Sequence, residues 1–360
     1  MKSLNRNWEL AIAQPADADG MQKVFEDGEF QGSISVKFSR SPDPFQSFQN
    51  DGEHIVFPIV RDCKTQEILG VGGCVIRPGY VNGKLQNTAY LTGLKIMQKH
   101  QKSINCIIPA YKLLREQTVA YNPFYYTTIL KSNEMAIKLL EKRRKSMPPY
   151  IFIGEYTVFC LGTGYRPRHN DYILYQGHSE KLRQFYQEEL PKYNLSPQNE
   201  WLFGLKNEDF YYLQAPDGKI LAACALWNQQ NYKQYIISGY RGIYKLLSYL
   251  PINILGYPTM PKAGESANYA SIAMLIIREE NLEIANLFVK LVLYEAKKYD
   301  FVMLGCLDNH PLMDTAQKLR HIKYKSRLYA VDYSGDEYKA SDTLSSGLDN
   351  RPIMLEVGLL

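Results

Sequence analysis

Apolar residues along this chain recur in two periods. Short apolar runs of strand length alternate with segments in which they return every three or four positions, as in amphipathic helices. Residues 8–13 read as a strand, and Pro15-Ala16-Asp17-Ala18-Asp19 opens a helix with acids in its first turn. Residues 30–53, with Pro42 and Pro44 among Ser, Gly, Gln and Phe, read as a long loop or short helices over a sheet. Residues 54–60 and 68–77 read as a hairpin, and residues 90–97 as a central strand. A cationic loop follows at 98–103, then a helical pattern through Ile107, Ile108, Tyr111, Leu114 and Arg115. Residues 124–130 are the next strand, Ser132-Asn133 opens the next helix, and residues 150–161 form one long strand. Pro109 leaves two readings of the helix after the loop. Either it begins late, with Pro109 in its first turn, or it is kinked.

After a Gly/Pro-rich stretch at 162–167 the same order returns. Residues 172–175 read as a strand, and Ser179 caps a helix to residue 190. A hairpin turns at Ala215-Pro216-Asp217-Gly218. Residues 240–265 look like an insertion facing a groove. Strands follow at 271–277, 301–307 and 324–331, with helices at 283–298 and 311–319. The pattern predicts a tandem duplication, with one unit at 1–164, a second at 165–340 and a tail at 341–360 that docks its apolar end on the body.

A strand running into a short loop and a helix N-terminus suits an anion, because free N–H groups and the helix dipole point the same way. Lys99 and Lys102 add positive charge to this loop, with Ser103 as the expected N-cap. In the second unit the same place reads Arg278-Glu279-Glu280-Asn281, whose carboxylates would repel an anion.

This order of elements resembles the GNAT acyltransferase superfamily. Leu94-Lys95-Ile96 stands where that family has Leu-x-Val, and Gln101-Lys102-Ser103-Ile104 where it has an Arg/Gln-x-x-Gly-x-Gly/Ala loop, here without glycine. A second match runs Ile129-Leu130-x-x-Asn133-x-x-Ala136-Ile137-x-Leu139, with Leu140 where the family often has a catalytic tyrosine. The resemblance implies an α/β (α+β) fold, a tandem GNAT unit with mixed, mostly antiparallel sheets flanked by helices. It implies acetyl-CoA or another acyl-CoA as co-substrate, held by Leu94, Ile96, Met97, Gln101, Lys102, Ser103, Ile104 and Asn133, with an oxyanion donor among the amides near Ile96 or Met97. A small-molecule or peptide amine would be the acceptor. By likeness to N-myristoyltransferases, the α-carboxylate of Leu360 would be the base. Glu155 and Tyr156, on the long strand, are the remaining candidates for polar work on a substrate. The alternative is a non-catalytic module of the same fold that binds coenzyme A or a peptide.

Composition narrows the picture only a little. Lys and Arg number 42 against 37 for Asp and Glu, too small a bias to expect nucleic acid. The 6 cysteines are scattered without metal spacing, so no metal is expected. With no signal-like N-terminus and no window of spanning length, a cytoplasmic protein without membrane contact is expected.

Overall fold

The computed structural model describes residues 2–3, 7–29, 32–101, 104–142, 146–164, 172–333 and 346–360. In chain order, β1 (Lys2–Ser3) and β2 (Trp8–Ile12) lead into α1 (Ala18–Glu26). Residues 30–53 then hold β3 (Ile34–Ser39) and α2 (Pro44–Gln49), capped by Asp43 with Pro44 at its first position. An antiparallel run of four strands follows, β4 (His54–Val56), β5 (Pro58–Asp62), β6 (Ile68–Val81) and β7 (Lys84–Ile96), with β4 and β5 both pairing with β6 and β6 with β7. Next come α3 (Ile107–Thr118), β8 (Phe124–Leu130), α4 (Glu134–Glu141) and β9 (Tyr150–Leu161). The second stretch holds β10 (Ile173–Gln176), α5 (Glu180–Glu189), β11 (Phe210–Gln214), β12 (Ile220–Trp227) and β13 (Gln234–Tyr240). It continues with α6 (Ile243–Leu247), β14 (Tyr269–Ile277), α7 (Leu282–Glu295), β15 (Phe301–Leu307), α8 (Leu312–Lys318) and β16 (His321–Val331).

α3 starts late, at Ile107, with Cys106 before it. Pro109 therefore sits in the first turn, where its missing N–H costs no helix bond. The expected cap, Ser103, lies outside the described residues.

The strands form one continuous 14-stranded mixed sheet rather than two separate ones. Only β7–β8 and β14–β15 pair in parallel; every other named pair is antiparallel. At the centre the last strands of the two halves exchange. β16 lies between β8 and β9, and β9 pairs in turn with β15. β16, from late in the chain, thus sits among strands of its first part, and β9 sits beside β15 from its second. α3, α4, α7 and α8 cover one face, packing through their own Tyr111, Leu114, Ile137 and Leu140 in one half and Phe288, Val289, Val292 and Ala316 in the other. α1, α2 and α5 cover the opposite face. A two-stranded ribbon of β3 and β13 also joins the halves.

Residues 352–360 run across the middle of that second face. Asn194 donates its amide to Pro352 O and accepts from the Met354 amide, and Tyr156 OH donates to Leu355 O at 2.6 Å. Met354, Leu355, Val357 and Leu359 are buried, each worth about 1.5–3 kcal/mol relative to exposure. Gly358 packs so tightly that a Cβ there would lie 2.5 Å from Gln229 Oε1 and 2.7 Å from the Trp227 ring. The insertion at 240–265 does not turn its apolar side chains into a groove, since Ile243, Leu246, Tyr249, Leu250, Ile254 and Leu255 are exposed.

Because β16 alone, among the described residues, lies between β8 and β9, the two halves of the chain should unfold together. Leu328→Ala, at a fully buried position in β16, should cost roughly 2–5 kcal/mol. Urea unfolding should show a single shifted transition by both tryptophan fluorescence and circular dichroism. Two separated transitions would show that the halves are independent.

Candidate functional site

The two parallel pairs are short. β7 and β8 pair only across Thr88–Tyr90 and Phe124–Tyr126, then each continues against its outer neighbour, so the sheet opens into a V. β14 and β15 pair only across Tyr269–Ser271 and Phe301–Met303, opening a second V. Each inner strand bulges three residues beyond its last parallel pair. In β7 the bulged residue is Gly93 (φ +70°), and in β14 it is Met274 (φ +50°), a conformation that disfavours a side chain. The matching offset makes the two openings comparable residue by residue.

At the first V, side chains meet on the tail face. Arg77 on β6 donates to Tyr126 OH at 2.6 Å and to Asp51 O at 3.1 Å, with Leu359 O at 3.5 Å. Tyr90 OH and Thr128 Oγ1 share a 2.8 Å bond. On the opposite face Thr127 Oγ1 donates to Leu91 O across the crotch at 2.7 Å. Beside Arg77 lies a buried ionic cluster under the β3–β13 ribbon. Asp51 Oδ2 accepts from Arg40 and from Lys233, each at 2.9 Å, and all three side chains are nearly inaccessible. Lys233 also donates to Gly358 O at 2.5 Å, joined there by Gln229. Burial pushes Lys233 down to about 7, against the opposing pull of Asp51. Leu360 packs half-buried against the apolar cluster that holds Tyr90, Tyr126 and Leu328.

At the second V the tail supplies a carboxylate. Both oxygens of Glu356 accept from the bulged Met274 amide, at 2.9 and 3.0 Å. Burial raises this carboxyl to about 7, with the Met274 amide and then Arg77 opposing the rise. Two small hollows lie beside it, each with room for about one water at most, and His310 lines both. At the mouth of this V, Arg278 reaches Glu188 and Glu189, Glu279 faces Lys219 at 3.5 Å, and Asn281 caps α7.

The residues singled out from the sequence divide. Leu94 is half exposed at the first bulge. Ile96, Met97 and Ile104 pack into the apolar cluster beneath α3, and Ile104 is buried there. The Met97 amide is already spent on Leu69 O at 2.9 Å, so it is not an oxyanion donor. Gln101 donates to Ile96 O, and Lys99 pairs with Glu67 at the exposed surface. The Gln98 amide is held by Asp27 Oδ2 at 2.5 Å, which puts a carboxylate where an anion was expected. Lys102 and Ser103 lie outside the described residues. Asn133 caps α4, accepting from the Ala136 amide at 3.1 Å.

Glu155 and Tyr156 point to opposite faces of β9, as neighbours in a strand must. Glu155 sits between Lys131 and Lys325, whose hydrogen bonds lower it to about 2, so it would be a weak base. Lys325 carries the network on to Asp308. Tyr156 is fully buried, its OH given to the tail carbonyl and its pKa driven well up by desolvation, which fits it to hold the tail. Arg77, Tyr90, Tyr126, Asp51, Lys233 and Glu356 were missed. Only Glu356 carried a local signal, as a lone acid inside the apolar run 352–360.

The mixed sheet with its V-shaped openings and flanking helices is the fold of the GCN5-related N-acetyltransferases. Solved structures show the same likeness. N-myristoyltransferase from Saccharomyces cerevisiae with bound myristoyl-CoA aligns at 11% identity over 91% of this chain and 83% of that one, with a TM-score of 0.54. A GCN5-related N-acetyltransferase from Sphaerobacter thermophilus aligns at 11% identity over 95% and 99%, with a TM-score of 0.53. The GCN5-related glucosamine N-acetyltransferase region of a fungal multi-domain GH3 β-N-acetylglucosaminidase aligns at 11% over 92% of this chain and 39% of that one, with a TM-score of 0.58. No protein-family model matches the sequence, nor does any curated protein. At these identities the likeness is one of fold.

Glu356 gives a pH dependence of definite sign. Its carboxyl binds a proton more tightly folded, near 7, than at its ordinary 4.5, so the stability it contributes is full below 4.5 and is lost as pH rises through 7. Glu356→Gln, which is neutral throughout, should flatten the fall in Tm between about pH 5 and 8. Identical slopes in both proteins would contradict this assignment.

Proposed function

We propose that the chain is an acyl-CoA-dependent N-acyltransferase, in the first instance an N-acetyltransferase, made of two copies of one unit. The acyl donor occupies the first V, and a small-molecule or peptide amine approaches from the tail face. The contrast between the bulges carries this reading. The Met274 amide is filled by the chain's own carboxylate, whereas no carboxylate lies at the Gly93 bulge among the contacts described there: a Cβ on Gly93 would meet the rings of Phe25 and Phe57, so apolar side chains wall that opening. A thioester carbonyl lying there would receive the Gly93 amide as its oxyanion donor, replacing the donors near Ile96 or Met97.

Leu94 and the 98–104 loop, with Lys102 and Ser103, would hold the nucleotide end, and Asn133 would remain a helix cap. The donor supplies an activated carbonyl, and the protein's tasks are to position it, stabilise developing negative charge and take a proton from the amine. In this reading the α-carboxylate of Leu360 takes that proton. The described tail face sets two buried cations, Arg40 and Lys233, and the half-buried Arg77 against two buried carboxylates, Asp51 and Glu356. That surplus favours a further carboxylate and disfavours an amine arriving charged.

One observation favours the second reading, a binding module without turnover. The amides of Met97, Gln98, His100, Gln101 and Ile104 already have acceptors in the protein, so the loop offers few free donors to a pyrophosphate.

Titration calorimetry with coenzyme A and acetyl-CoA separates the cases. One donor should bind, and Lys102→Glu with Ser103→Glu should weaken it by about tenfold or more through charge repulsion. Glu279→Lys, at the second V, should leave affinity unchanged. No heat with any acyl form would rule out the donor, and binding without acetylation of any amine would favour the module.

Removal of Leu359 and Leu360 addresses the base. Turnover should fall by about 10²-fold or more while donor affinity holds. Undiminished turnover would leave the tail a purely structural role.

A further inference from the structure

The segment joining β13 to β14 leaves much apolar surface uncovered. α6 and the short 3-10 turn Ile252–Leu255 present Ile243, Leu246, Tyr249, Leu250, Ile254 and Leu255, all more than half exposed, with Tyr249 at 77% and Ile254 at 78%. Together they make a patch of roughly 600 Å², at the upper end of what a monomer leaves in water. The hairpin is fixed at its base. Tyr240 OH donates to Pro261 O at 2.7 Å, and the Thr259 amide to Asp300 O at 2.9 Å. The Gly256 backbone lies against Gly162 so closely that a Cβ on Gly162 would meet it at 2.1 Å. The base is anchored while the apolar tip protrudes.

Charge decides what this tip suits. No Asp or Glu occurs between Asp217 and Glu265, and the charged residues flanking the tip, Arg241, Lys245 and Lys262, are exposed cations. A convex apolar knob with a tyrosine among its aliphatic side chains and basic residues beside it matches the interface of an anionic bilayer. Aliphatic groups enter the acyl boundary, the tyrosine sits at headgroup level and the cations meet lipid phosphates. A protein partner would need a complementary cavity, whereas a bilayer accommodates a knob of any shape.

We propose that residues 243–255 form an interfacial anchor that docks this protein on the surface of an anionic phospholipid bilayer. Docking of this kind needs no spanning helix, and among the described residues no helix is long and apolar enough to cross a membrane. The expectation of no membrane contact rested on the lack of a spanning window, which an interfacial hairpin does not require. The anchor stands beyond the end of β9, which runs parallel to β8, so it lies at the end of the sheet toward which the first V opens.

Vesicle sedimentation of the full chain tests this, using phosphatidylcholine alone and phosphatidylcholine with roughly a third phosphatidylserine at about 0.1 M salt. The wild type should bind the phosphatidylserine vesicles about tenfold or more tighter than the neutral ones, and raised salt should erase the difference. Leu246→Asn with Tyr249→Ser and Ile254→Asn should abolish binding while circular dichroism and Tm hold, since these side chains are exposed. Arg241→Gln with Lys245→Gln should weaken binding to the anionic vesicles by about tenfold. Fluorescence of Tyr249→Trp should shift to the blue on those vesicles. Failure of the wild type to bind, or binding retained by the triple variant, would overturn the proposal. So would a concentration-dependent dimer that the triple variant converts to monomer, because the patch would then belong to a second copy of the chain.

Discussion

Everything in this molecule hangs on the ladder formed by β8, β16, β9 and β15. β16 pairs with β8 through Ser326–Ala330 and with β9 along its whole length, and β9 pairs with β15 from Tyr156 to Leu161. The exchange removes any boundary along which two halves could slide. It also fixes the two V-shaped openings in one continuous sheet, pointing to opposite ends. A single shared frame lets side chains from residue 40 and residue 233 meet at one carboxylate, because neither half moves against the other.

The tail exploits that frame. Its apolar side chains fill the seam, but apolar burial alone would not fix its register. Register comes from polar contacts spread over both halves: Asn194 at Pro352 and Met354, Tyr156 at Leu355, Met274 at Glu356, and Lys233 and Gln229 at Gly358. Buried groups left unpaired are costly, so each of these partners holds the tail to one alignment. The result is asymmetric. One bulge amide is closed by Glu356, and the other bulge is walled by the rings of Phe25 and Phe57.

Much of the fold was legible in the sequence because it is written locally. β8, β9 and β15 are apolar runs bounded by turn residues, and Ser179 and Asn133 mark the helix starts they cap. The β3–β13 ribbon was not legible, since its strands are of mixed polarity and are stabilised by one another across more than half the length of the chain. The exchange was hidden for a similar reason: periodicity identifies a strand and says nothing of which neighbour it chooses. Of the candidate site, the motif singled out Leu94, which lies half exposed at the first bulge, but Asp51, Arg40 and Lys233 look like ordinary surface charges until the fold buries them. The Met274 bulge sits inside an unbroken apolar run without a glycine to mark it.

The central claim is that the first V takes an acyl donor and that the second, closed by Glu356, does not. A crystal structure with a non-reactive acyl-CoA analogue tests this most directly. The account predicts one analogue per chain, with its thioester-equivalent carbonyl against the Gly93 amide and Glu356 still bonded to Met274. An analogue seated at Met274 with Glu356 displaced, or none in either opening at saturating concentration, would contradict it.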